Sequence, residues 1–180
     1  MDPTTEKNIL RLYRMGQKHQ AFSEILRYLG DDIYGLAYHF TKNEEDASDI
    51  TQDVFLKIWK KFHTFKGKSS LKSWILQITR NACLSHLTSR HYRISREDGD
   101  YGQSANESQH HETFPDLRTC VESLPAETKT PLVLYHFMSC RYEEIAHILD
   151  LPLNTIKARI RRGRLMLVKQ LKAKGYHHAM

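Results

Sequence analysis

Cysteine is scarce in this 180-residue chain: Cys83, Cys120 and Cys140 are widely spaced and odd in number. With no CxxC pair and no Cys/His ligand spacing, neither a disulfide framework nor a zinc site is supported. The three read as small buried hydrophobes in a reducing compartment. No apolar run approaches the roughly 20 residues of a membrane span, and the N-terminus does not resemble a signal peptide. A cytoplasmic protein without membrane insertion is expected. HExxH, GxSxG and P-loop patterns are all missing. The acids of residues 44–53 are too regularly exposed for a buried acid/base pair, so no enzyme activity, cofactor or metal is expected. Strand signals are scarce as well.

What is present is charge, unevenly placed. Lys and Arg outnumber Asp and Glu by 27 to 21, a formal net charge of +6. Residues 1–93 carry 15 basic and 10 acidic side chains, and residues 118–180 carry 11 and 5. Between them, Arg96 stands alone against Glu97, Asp98, Asp100, Glu107, Glu112 and Asp116. A basic excess suits nucleic acid without proving it, so its placement says more.

Helix-spaced apolar residues fill the rest. Phe22, Ile25, Leu26, Leu29, Ile33, Leu36, Ala37 and Phe40 mark one helix over residues 21–40. A second runs from Asn43 to Trp59, opened by Asn43, with Glu44, Glu45 and Asp46 suiting the positive end of its dipole. Residues 71–88 make a third. Residues 93–114 are polar, acidic and rich in Ser, Gln, Asn and Gly, with too little apolar surface to offset their ordering entropy. Helices resume at Leu117, with breaks near 124–125, 138–140 and 150–153. The fold class expected is all-α: two small helical domains, 1–93 and 118–180, joined by a flexible acidic linker over 94–117.

The C-terminal segment reads as a helix-turn-helix. YEEIAHIL (142–149) is a short helix, and Asp150-Leu151-Pro152-Leu153 a tight turn in which Pro152 fits the first turn of the next helix. The small Ala146 permits the close crossing that so short a turn requires. At about 100° per residue, Ile156, Ile160, Gly163, Leu167 and Leu171 form a core stripe. Thr155, Ala158, Arg161 and Arg162 face the other way, with Lys157 and Arg159 at the shoulders. A small residue amid arginines lets a helix approach base edges while its neighbours reach guanine or phosphate. A basic helix face alone is usually only solvated surface; the turn, Ala146 and the apolar stripe together point to duplex DNA. Arg141 and Tyr142 are natural phosphate contacts.

The helix over 46–59 has a core stripe of Ala47, Ile50, Val54 and Ile58, and a second face of Asp49, Gln52, Leu56 and Trp59 with Phe55 at its margin. Either the helix is buried all round or this face docks on a protein, as an aromatic anchor with polar neighbours does. Docking is the expectation. The loop Lys66-Gly67-Lys68-Ser69-Ser70, flanked by aromatics and followed by Leu71-Lys72-Ser73-Trp74, suits single-stranded nucleic acid. Trp74 falls near the stripe of Leu71, Ile75, Ile78 and Ala82, so a structural role is expected for it. Arg80 and Asn81 lie away from that stripe.

EEDASDITQDVFLKIW (44–59) and FKGKSSLKSWILQITRNACLSHL (65–87), followed by LPAETKTPLVLYHF (124–137) and YEEIAHILDLPLNTIKARIRRGRLML (142–167), resemble the sigma-70 superfamily. The likeness is to its small two-domain alternative sigma factors of the extracytoplasmic-function (ECF) group. That resemblance implies a promoter-specificity subunit, not an enzyme, and covers nearly all the chain outside the linker and the first residues. Asp49, Gln52, Phe55, Leu56 and Trp59 would dock on the clamp helices of the largest subunit of core RNA polymerase. Lys66, Gly67, Lys68, Ser69, Ser70, Lys72, Arg80 and Asn81 would read the −10 element as a single strand. Arg141, Tyr142, Thr155, Lys157, Ala158, Arg159, Arg161 and Arg162 would meet the −35 element as duplex. An anti-sigma factor is a common partner in the group. Leu71 stands where the family usually has an aromatic, and Asp150 and Asn154 replace frequent glycines; Asp tolerates left-handed geometry, so the turn should survive. The rival expectation is a helix-turn-helix regulator acting without polymerase, which leaves the face of Asp49, Gln52 and Trp59 unexplained.

Overall fold

The computed structural model describes residues 1–94 and 115–176. Most of the acidic linker, His110-His111 and His177-His178 lie outside them. The described residues form eight α-helices and no strand: α1 (Pro3–Arg14), α2 (Lys18–Thr41), α3 (Glu44–Lys61), α4 (Leu71–Ile94), α5 (Pro115–Glu122), α6 (Ala126–His136), α7 (Tyr142–Leu149) and α8 (Leu153–Ala173). The chain divides into two compact units, the first holding α1–α4 and the second α5–α8. None of the described helices is long and apolar enough to cross a membrane.

In the first unit α2 packs on α1, α3 and α4, and α3 packs on α4. Ile25, Leu29 and Ile33 of α2, Ala47, Val54 and Ile58 of α3, and Leu71 and Ile75 of α4 meet in one buried core. Most of each expected stripe is buried, but Leu26 of α2 is exposed and Phe22, Phe40 and Ile78 are only half-buried. Helix α1 is an addition to the expected elements. Its start is built from Asp2, whose carboxylate accepts the N–H groups of Thr4 (2.8 Å) and Thr5 (3.0 Å), with Pro3 in the first turn, where no N–H is missed. Two boundaries also move. Helix α4 continues to Ile94, past the expected end at residue 88, and α5 starts at Pro115, inside the expected linker. Pro at a first helical position explains the earlier start of α5.

In the second unit α8 is the spine against which α5, α6 and α7 pack. Leu132 and Leu134 of α6, Ile145 and Ile148 of α7, and Ile156 and Ile160 of α8 are buried. Gly163 is buried at the α6–α8 crossing; a Cβ there would run into the Leu132 side chain and sit 3.4 Å from Thr128 Cβ. Any larger residue would force the Leu132 side chain to shift, so glycine suits that approach.

All three cysteines are free and buried. Burial pushes the Cys83 thiol up to about 12, which leaves no reactive thiolate near neutral pH.

Candidate functional site

Helix α3 carries two faces, as its sequence period requires. Asn43 caps it, its side chain accepting the Asp46 N–H at 2.9 Å. Ala47, Ile50, Val54 and Ile58 are buried, whereas Asp49 and Gln52 are exposed on the other side. Leu56 is 57% exposed and Trp59 41%, so the helix is not sandwiched. Phe55 is half-buried at the margin. Trp59 is braced rather than loose: its ring stands edge-on to Phe22 at 5.2 Å and lies 5.1 Å from His19. Those two braces come from α2; Phe22 was expected only as part of that helix's apolar stripe, and His19 was not among the expected residues. Their i, i+3 spacing is the sequence trace of the contact.

The loop before α4 is held at both ends. Phe62, Phe65 and Trp74 cluster, with ring centroids 5.4–6.4 Å apart, so Trp74 is half-buried packing and not a free platform. Gly67 takes φ 68°, the left-handed region that glycine enters without strain. Lys66 and Lys68 are exposed on either side of it; Ser69 and Ser70 are half-buried. The Ser70 hydroxyl accepts the Ser73 N–H at 3.2 Å, and the Glu6 carboxylate of α1 accepts the Leu71 N–H at 3.0 Å. Two of the orphan donors at the start of α4 are thus satisfied, which fixes the loop's exit. Beneath it lies a cavity of about 280 Å³ lined by Leu10, Tyr13, Arg14, Phe62, His63, Phe65, Lys66 and Gly67. The contribution of α1 to that cavity was invisible without α1.

Further along α4 the expected residues part company. Leu71 is fully buried, which accounts for an aliphatic residue at that position. Lys72 does not face outward: its Nζ lies 2.6 Å from the Asp32 carboxylate of α2, with the two side chains only 11% and 22% exposed. The sequence placed Lys72 beside a nucleic-acid loop, but a lysine at the α2–α4 contact is held by the acid opposite it. Asn81 is exposed, and half-buried Arg80 donates to its side-chain oxygen at 3.3 Å.

In the second unit the turn between α7 and α8 keeps its form without glycine. Asp150 caps α7 at φ 54°, ψ 52°, and the Leu151 N–H reaches back to the Ala146 carbonyl at 3.0 Å. Pro152 sits just before α8, one position earlier than expected, and its carbonyl accepts the Thr155 N–H at 2.9 Å. Ile156, Ile160 and Gly163 are buried; Lys157, Ala158, Arg161 and Arg162 are exposed, and Thr155 and Arg159 half-buried. Arg141 is exposed, its backbone N–H donating to the Glu144 carboxylate at 2.9 Å. The Tyr142 ring packs 5.0 Å from Tyr135, over which the Arg164 guanidinium also lies at 5.0 Å. Burial, and then that Arg164 charge, lower the pKa of neighbouring His136. Glu127 of α6 stands against the basic face, 3.1 Å from Arg162 and 4.0 Å from Arg159, and was not among the expected residues.

Comparison with known proteins matches residues 25–92 to Sigma-70 region 2 and residues 115–167 to Sigma-70 region 4. The ECF RNA polymerase sigma factor SigE of Mycolicibacterium smegmatis is 30% identical over 82% of this chain, a match spanning 60% of that relative's length. The RNA polymerase sigma-H factor of Pseudomonas aeruginosa is 26% identical over 92% of this chain and 93% of its own. Among solved structures, the sigma factor RpoE of Bartonella quintana, in complex with the anti-sigma factor NepR, superposes with a TM-score of 0.72. Its identity is 27%, over 84% of this chain and 96% of that one. The two helical units, in the order of regions 2 and 4, place the chain in the sigma-70 family as an alternative sigma factor of the ECF type, directing promoter recognition by RNA polymerase.

Proposed function

We propose that the two units divide promoter recognition between them in the cytoplasm. The first, over 1–93, docks on the polymerase clamp through Asp49, Gln52, Phe55, Leu56 and Trp59. It reads the melted −10 strand with the loop Lys66, Gly67, Lys68, Ser69 and Ser70 together with Arg80 and Asn81. The second, over 118–180, reads the −35 duplex with Lys157, Ala158, Arg159, Arg161 and Arg162, helped at the backbone by Arg141, Tyr142 and Thr155. Residues 94–117 tether them. Two weak readers on one scaffold gain affinity through effective concentration, so each alone should bind DNA poorly. Lys72 is left out, because its charge is spent on Asp32.

One observation carries the duplex half: α8 exposes Lys157, Arg161 and Arg162 around exposed Ala158 while Ile156, Ile160 and Gly163 turn inward. Arg162→Ala, assembled with core polymerase, should lower discrimination at the −35 element by about 1–3 kcal/mol, as loss of a bidentate base contact does. Competition between matched and mismatched upstream duplexes measures it. A smaller loss, equal on all sequences, would confine Arg162 to phosphate. The B. quintana sigma factor of matching fold was solved in complex with the anti-sigma factor NepR, which supports an anti-sigma partner for this chain too.

A further inference from the structure

An acid set against the basic face of α8 is out of place by simple electrostatics. A DNA-reading face collects cations, yet Glu127 Oε1 lies 3.1 Å from Arg162 Nη1 and its Oε2 4.0 Å from Arg159 Nη2. The placement follows from packing. Gly163 lets α6 press against α8, with Thr128 beside the glycine, and Glu127 is the next residue back along α6. Arg159 and Arg162 are one helical turn apart, so a single carboxylate reaches both. Among the described residues, no ion pair engages Lys157 or Arg161, which share the same exposed face.

We propose that Glu127 is a specificity-determining residue: it orients Arg162 and Arg159 and penalises their use on phosphate. An arginine offers five N–H donors in a rigid plane, so engaging one edge fixes the direction of the rest. The free edge meets a neutral base acceptor without opposition. A phosphate oxygen must instead compete with the carboxylate for the guanidinium and is repelled by it, a device that acts against wrong partners. Lys157 and Arg161 supply the sequence-independent attraction, and the guarded arginines supply discrimination. An exposed ion pair adds little stability, so its value here is in recognition.

The proposal rests on α8 being the duplex reader, and the test separates the two. The full chain carrying Glu127→Gln is compared with wild type on a mixed-sequence duplex by fluorescence anisotropy across a salt series. Each protein, assembled with core polymerase, then selects from promoters randomised at the upstream element. Glu127→Gln should tighten mixed-sequence binding roughly threefold and steepen the log–log salt slope by about one, the mark of one added phosphate contact. The selected upstream sequence should lose information at one or two positions. Glu122→Gln changes net charge equally at a residue paired with Lys129 and should leave selection unaltered. Unchanged selection with Glu127→Gln, or weaker binding to every duplex at an unchanged slope, would overturn the proposal. If Arg162→Ala also fails to alter selection and Lys157→Ala fails to weaken mixed-sequence binding, the duplex reading of α8 falls with it; if either shows its effect, only Glu127's role is lost.

Discussion

Replacing Trp59 by Ala is expected to lower affinity for core RNA polymerase by at least 30-fold, or about 2 kcal/mol and more, as loss of an interface anchor does. The helical content and the duplex binding of the second unit should be untouched. Trp59 is 41% exposed on the face of α3 opposite its buried stripe, and Phe22 and His19 hold its ring in place before any partner arrives. A rigid, half-exposed aromatic beside exposed Asp49 and Gln52 pays little ordering entropy on docking. Because Trp59→Ala also removes packing on Phe22, Leu56→Glu is the cleaner companion: Leu56 is 57% exposed, and Glu is a good helix former. Both variants should lose polymerase in a competition assay, with circular dichroism confirming the fold. Wild-type affinity in Leu56→Glu, with unfolding in Trp59→Ala, would mean that this face only completes the domain.

The second large effect is on stability. Lys72→Ala should destabilise the first unit by about 2–4 kcal/mol, because it strands the Asp32 carboxylate in a site where water is largely excluded. In a domain of this size that is a fall in Tm of roughly 10–20 °C. Removing both charges, with Lys72→Met and Asp32→Leu together, should recover most of the loss, as apolar replacement of a buried pair often does. Thermal melts of the three proteins decide it. An unchanged Tm in Lys72→Ala with weakened single-strand binding would instead return Lys72 to the −10 surface.

What the sequence made legible follows the reach of local periodicity. Both faces of α3, from Ala47 to Trp59, could be sorted because a helix's period fixes which residues share a side. The α7–α8 turn was readable for the same reason, and Asp150 in place of glycine needed only the known tolerance of Asp for left-handed backbone. Pairings across helices were not readable. Lys72 meets Asp32 forty positions earlier, and Glu127 meets Arg162 thirty-five later; nothing local signals either contact. Helix α1 was written locally, in Asp2 and Pro3, yet its role under the loop of residues 66–70 depends on Glu6 reaching the Leu71 N–H. Lys66 and Lys68 lie exposed where composition put them, whereas Lys72, four residues beyond Lys68, is turned inward by packing.

The most direct test of a two-part promoter reader is transcription by core RNA polymerase with and without the purified chain, on a pool of templates randomised across the upstream and −10 regions. Initiation should depend on the chain, and active templates should share two elements at one fixed separation, the upstream one lost with Arg162→Ala and all initiation lost with Trp59→Ala. Binding of the chain to a specific duplex with no effect on where polymerase starts would contradict it.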